Sequence, residues 1–126
     1  MKKNNLDEAK VTAEFILPLQ FLLRLSGKAY EKYMVNKIYL HALNVRKANE
    51  MVYQLIINKV SFIPANLQND CIELLNHYDC WMLQFKEEEL KRNPSLKDEF
   101  IFYRADEQVA FPRLSEANML AAYKKK

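Results

Sequence analysis

Gly27–Pro64, GKAYEKYMVNKIYLHALNVRKANEMVYQLIINKVSFIP, is the stretch on which the fold class turns. Gly27 is the only glycine in the 126 residues, and no helix breaker follows it until Pro64. The 33 residues Lys28–Val60 therefore read as one helix, about 50 Å long at roughly 1.5 Å per residue. Gly27 would supply the C-terminal stop of the helix before it. A helix of that length needs a partner along its whole course, and Ala65–Asn93 offers one. Its apolar residues Leu67, Cys71, Leu74, Leu75, Tyr78, Trp81, Met82 and Phe85 fall at i, i+3, i+4 and i+7 spacings. Pro64 opens this second helix and Pro94 stops it after the charged end KEEELKRN. The short connection Ser61–Pro64 makes the two helices antiparallel neighbours.

Outward from this hairpin, Asn4 or Asn5 can cap a first helix carrying Asp7 and Glu8 in its first turn. Pro18 either kinks that helix, over Leu6–Leu25, or makes a new helix start near it. Phe15–Leu25 is apolar almost all round, as expected of a segment buried on several sides or used in an oligomer contact. Beyond Pro94, Phe100–Pro112 reads as irregular chain, or a short strand, whose aromatic residues pin it across the end of the hairpin. Ser115 then caps a last short helix. The expectation is an all-α fold in which a long antiparallel helical hairpin is completed to an up-down four-helix bundle. An irregular aromatic-rich segment precedes the short C-terminal helix. Residues 1–126 form a single domain in this reading, with 1–5 and 124–126 as flexible tails.

Composition narrows the function classes. One glycine argues against a β-rich fold, and glycine-rich phosphate loops of the Walker or dinucleotide-binding type are excluded. Half of the residues are apolar, too many for a disordered chain. Five of the nineteen basic residues are Lys2, Lys3 and Lys124–Lys126 in the tails, which leaves fourteen basic against sixteen acidic residues in the body. The net charge of +3 is thus weak support for a nucleic-acid partner. FILPLQFLL, Phe15–Leu23, is preceded by Asp7, Glu8 and Glu14, fits a signal peptide badly, and falls short of the ~20 residues that cross a membrane. A cytoplasmic protein with no membrane partner is the expectation.

On a helical wheel of Lys28–Val60, Tyr30, Tyr33, Met34, Ile38, Val45, Ala48, Met51, Val52, Leu55 and Ile56 make a broad apolar face. Tyr39, Leu40 and Leu43 interrupt the polar side opposite. An apolar middle on nearly every side, together with Phe15–Leu25, leads to the expectation of a homodimer.

His41 falls inside the apolar face, beside Met34, Lys37 and Val45. A buried histidine must find partners, so His41, with Lys37 and Tyr33 as walls, is the candidate ligand-binding group. The plainer reading is a core histidine bonded to a hydroxyl or a backbone carbonyl. His77 lies on the flank of the next helix, half covered by Trp81, with Glu73 one turn before it. A di-iron bundle needs Glu-x-x-His twice, whereas this chain has Glu-x-x-x-His once, so no metal or cofactor is expected. Cys71 and Cys80 project from opposite sides of one helix and cannot bridge. Small helical ribonucleases of the HEPN type carry an arginine a few residues before a histidine on the same helix. Neither histidine here has that arginine.

Lys28, Lys32, Arg46 and Lys47 gather on the polar side of the long helix. Lys28–Lys59 holds six basic against two acidic residues, a local excess that could track phosphates or meet a partner. Neighbouring acids at Asp70, Glu73, Asp79 and Glu87–Glu89 offer internal pairing instead. No set of residues fixes a chemistry. The leading expectation is a non-enzymatic binding, adaptor or small regulatory protein acting through a helix surface on an unknown protein partner. A nucleic-acid-associated regulator and a small-ligand bundle around His41 are the alternatives.

Overall fold

The structure is a computed structural model that describes residues 5–101 and 112–122, with side chains from Glu8 onward. The expected tails, 1–5 and 124–126, lie outside these residues apart from Asn5. Of the expected irregular segment Phe100–Pro112, only Phe100, Ile101 and Pro112 lie inside them. The fold is an all-α helical bundle. Helix α1 (Asn5–Val11) passes through a π-helical turn (Thr12–Ile16) into α2 (Leu17–Val35), so the chain stays helical from Asn5 to Val35. Helix α3 (Tyr39–Asn58), α4 (Gln68–Arg92) and α5 (Arg113–Leu120) complete it.

The π turn is the structural answer to Pro18. Proline lacks an N–H, and in a regular helix its ring collides with the carbonyl four residues back. Widening the preceding turn, with the Leu17 N–H reaching Thr12 O, admits the proline without ending the helix. Of the two sequence alternatives, the helix continues through Pro18, and no new helix starts there.

The long helix drawn from Lys28 to Val60 is corrected at its start and in its interior. Gly27 does not stop a helix, since α2 runs through it, and a Cβ placed there would meet nothing within 4 Å. The break lies at Asn36–Ile38, where Asn36 and Ile38 are extended (φ −143° and −102°). No glycine or proline marks it. The break is made by partners far along the chain. The Tyr39 and Leu40 amides, orphans in the first turn of α3, donate to Asp98 O and Leu96 O at 2.8 Å each. The Phe100 amide donates to Lys37 O at 2.8 Å, so Ile38 and Glu99 form an isolated antiparallel bridge.

Folding back at this elbow sets α2 antiparallel to α3. Ser26 Oγ donates to Asn49 Oδ1 at 2.7 Å and Lys59 Nζ meets Glu14 at 2.9 Å, which fixes the register. Helix α4 runs antiparallel to α3 after two 3₁₀ turns, Val60–Phe62 and Ala65–Leu67. It ends where expected: Asn93 adopts the left-handed conformation (φ 45°) just before Pro94. Helix α5 packs against both α2 and α4, closing the bundle. It starts at Arg113 after Pro112, and Ser115 lies buried in its first turn instead of capping it. The buried Gln20 amide donates to Met119 O and Leu120 O at 3.1 and 3.0 Å, satisfying carbonyls at the α5 terminus.

The core has two parts. One is mostly aliphatic, built from Phe15, Ile16, Leu19 and Leu23 with Val52, Ile56, Leu74, Tyr78 and Met119. The other surrounds the elbow and is mostly aromatic: Tyr33, Trp81, Phe85 and Phe100 with Ala42 and Val45. The apolar face assigned to α4 is the one that is buried: Cys71, Leu74, Tyr78, Trp81 and Phe85 are all inside.

Candidate functional site

The residues singled out in the sequence separate into three places. Tyr33, Lys37 and His41 come together at the elbow, because the break at Asn36–Ile38 brings the end of α2 against the start of α3. Each holds the elbow. Tyr33 Oη donates to Phe100 O at 2.5 Å, and burial pushes its phenol up to about 12. Lys37 serves through its backbone carbonyl. His41 is half-buried, and its Nδ1 lies 2.8 Å from Asn36 O, a carbonyl that can only accept, so Nδ1 is the donor. His41 therefore sits in the first turn of α3 and not in the middle of an apolar face.

The elbow continues into an aromatic stack. Phe100 lies 5.1 Å from both Tyr39 and Phe85, and Trp81 lies 5.3 Å from Phe85, ring centre to ring centre. Arg46 closes its edge, with its guanidinium 4.8 Å over the Phe85 ring and 3.3 Å from Glu89. Tyr39 Oη donates to the same Glu89 carboxylate, which holds the phenol protonated above its ordinary range. Arg46 is thus spent inside the chain and is withdrawn from the basic group of Lys28, Lys32 and Lys47.

His77 is buried, not the half-covered edge residue expected from its place on the wheel. Cys71 is buried in the aliphatic core, which pushes its thiol up to about 11, while Cys80 is part-exposed. Among the described residues no group of three His, Cys, Asp or Glu side chains could hold a metal ion, and no helix is long and apolar enough to cross a membrane.

The third place is the outer face of the α2–α3 hairpin. On α2 the core side carries Leu19, Leu23 and Tyr33, and the opposite side exposes Leu17, Phe21, Leu25, Lys28 and Lys32. Phe21 is 60% exposed, unusual for an aromatic ring in the middle of a packed helix. On α3 the core side carries Ala42, Val45, Asn49, Val52 and Ile56, and Leu40, Asn44, Lys47 and Met51 are exposed. Met51 and Leu40, part of the apolar ring drawn from the sequence, are exposed, because they lie on the side of α3 turned away from Val45, Val52 and Ile56. In the register fixed by Ser26–Asn49, Leu25 lies level with Met51 and Lys28 level with Lys47. Leu17, Phe21, Leu25 and Met51 lie towards α1, and Lys28, Lys32 and Lys47 lie towards the elbow, where Val35 and Leu40 are also exposed. Lys28 meets Glu31 at 3.8 Å, in an exposed pair that screens it little.

No known protein family, no curated protein and no solved structure matches the chain. The geometry alone carries the functional reading. Sequence reasoning found Lys28, Lys32 and Lys47, and left Phe21 and Leu25, within Phe15–Leu25, as either buried or an oligomer contact. The i, i+4, i+8 recurrence of Leu17, Phe21 and Leu25 was available as a signal, hidden by the apolar residues around it.

Proposed function

We propose that this protein is a non-catalytic helical binding module that engages a protein partner through the outer face of α2 and α3. The observation that carries this reading is the exposed ridge Leu17, Phe21 and Leu25, with Leu25 level with Met51 and Lys28 and Lys32 continuing the same side of α2. Exposed apolar area of this kind, grouped and rimmed by charge, is typical of docking surfaces. The histidine and tyrosine of the elbow support the same reading, because their polar atoms serve the fold. The test is capture from the native cell with wild type and with Phe21→Glu. A partner retained by wild type and lost with Phe21→Glu, at unchanged circular dichroism and melting temperature, supports the reading. Equal retention by both overturns it.

A homodimer is the second reading, and one feature favours it. A ridge of i±4n residues packs well against another such ridge. A twofold axis at Phe21 would set Leu17 of one copy against Leu25 of the next. Light scattering over a range of concentrations decides it: a strict monomer throughout rules it out. The nucleic-acid reading loses Arg46 to Glu89 and keeps three lysines, too few for a continuous phosphate track.

A further inference from the structure

Resting on that reading, we infer that the partner segment is an acidic amphipathic helix lying along the exposed face of α2 and α3. The face is divided lengthwise, and the division specifies its complement. Phe21, Leu25 and Met51 offer apolar area at one end, while Lys28, Lys32 and Lys47 are exposed at the other. From Phe21 to Lys32 the face spans about 16 Å of helix axis, roughly three turns. A helix laid into it matches the apolar end with side chains at i, i+3 or i+4, and i+7. Carboxylates one to two turns further along meet the lysine end.

The alternatives fit less of the surface. A phosphate backbone would pair with the lysines and leave Phe21 and Leu25 against polar groups. A second copy in parallel sets lysine against lysine. In antiparallel it sets Lys28 of one copy against Glu14 of the next, and Glu14 is already taken by Lys59 at 2.9 Å. An anionic bilayer would need the apolar and basic groups stacked in depth, whereas here they lie end to end along one hairpin.

The test uses two synthetic peptides of about 20 residues, long enough to hold a helix. Both carry the same leucine stripe, one with glutamates on the flanks and the other with lysines. Fluorescence anisotropy is measured against the full chain, against Phe21→Ala, and against the triple variant Lys28→Glu/Lys32→Glu/Lys47→Glu. All four positions are exposed, so the variants keep the fold, and circular dichroism verifies this. The acidic peptide is expected to bind wild type, to weaken roughly tenfold with Phe21→Ala and with the triple variant, and to weaken with added salt. The lysine peptide is expected to prefer the triple variant.

Equal binding of the two peptides to wild type overturns the acidic partner while leaving the apolar docking face standing. No binding of either, with capture from the cell still lost in Phe21→Glu, overturns the helical partner alone. No binding together with equal capture overturns both readings. Preference of the same lysines for mixed-sequence RNA or anionic vesicles over the acidic peptide overturns the inference. So does a dimer that Phe21→Ala dissolves.

Discussion

The two parts of the core are built on different physics. Around Leu19, Leu23, Leu74 and Met119 the bundle is held mainly by apolar area, although Gln20 and Asn49 are hydrogen-bonded within it. Tyr78 Oη, fully buried there, has no hydrogen-bond partner among the described residues, and burial holds its phenol above the ordinary range. Around Phe85 and Phe100 the packing is directional: a phenol on a backbone carbonyl, a guanidinium over a ring, backbone amides capped across the chain. The aliphatic part supplies bulk stability that tolerates rearrangement. The aromatic part specifies where α2 ends and α3 begins, and so sets the register that assembles the outer face.

The largest test of this contrast is Phe85→Ala. Large-to-small core changes at phenylalanine cost about 3–5 kcal/mol. Here the loss also unseats Phe100 and Arg46, which lie against the same ring. Leu74→Ala, in the aliphatic part, should cost about 2–5 kcal/mol and leave the elbow intact. Denaturant unfolding gives the totals, and amide exchange of Tyr39, Leu40 and Phe100 gives the location. Exposure of those amides in Phe85→Ala but not in Leu74→Ala is the expected outcome. Equal protection in both variants would mean that the elbow does not depend on the stack.

A smaller and sharper contrast lies between two buried tyrosines. Tyr33→Phe removes a formed hydrogen bond and leaves Phe100 O with less, a loss of about 1 kcal/mol. Tyr78→Phe removes a hydroxyl buried without such a bond, so stability should hold or rise. Thermal melts of the two variants should move in different directions. Alkali gives a second measurement at Tyr33. Its phenol is raised from 10 to about 12 in the folded chain, so the neutral form is favoured by folding. That contribution is fully present below pH 10 and is lost as pH rises through about 12. The advantage of wild type over Tyr33→Phe should therefore shrink above pH 10 in urea unfolding.

The same contrast explains what could be read in the sequence. Helix α4 was legible because its burial comes from its own periodicity: Cys71, Leu74, Tyr78, Trp81 and Phe85 recur on one face, and Asn93-Pro94 ends it locally. The elbow was not legible. Nothing at Asn36, Lys37 or Ile38 breaks a helix on its own, and the hydrogen bonds that compensate the break arrive from Leu96–Phe100, some sixty residues on. Gly27 misled for the converse reason, since a long helix packed on α3 and α5 tolerates one glycine without ending there. Of the candidate site, the lysines were visible as charge. Their neighbourhood with Phe21 and Leu25 depends on the fold-back, which local pattern does not encode.

Gly27 offers the smallest effect and joins the two parts. It stands on α2 between Leu23 and Ser26, which face the aliphatic part, and Ala29 and Tyr33, which face the aromatic part. A methyl group there meets open space, and the backbone is ordinary right-handed helix, so alanine fits without strain. Gly27→Ala should gain about 0.5–1 kcal/mol, from helix propensity and from a less free unfolded chain. For a domain of this size that is a rise in melting temperature of about 2–5 °C. Calorimetry adds the part that bears on the comparison. If α2 couples the two parts into one cooperative unit, the transition stays single and shifts upward as a whole. A split transition, with one limb moved and the other fixed, would show that the aliphatic and aromatic parts melt independently and that Gly27 marks the seam between them.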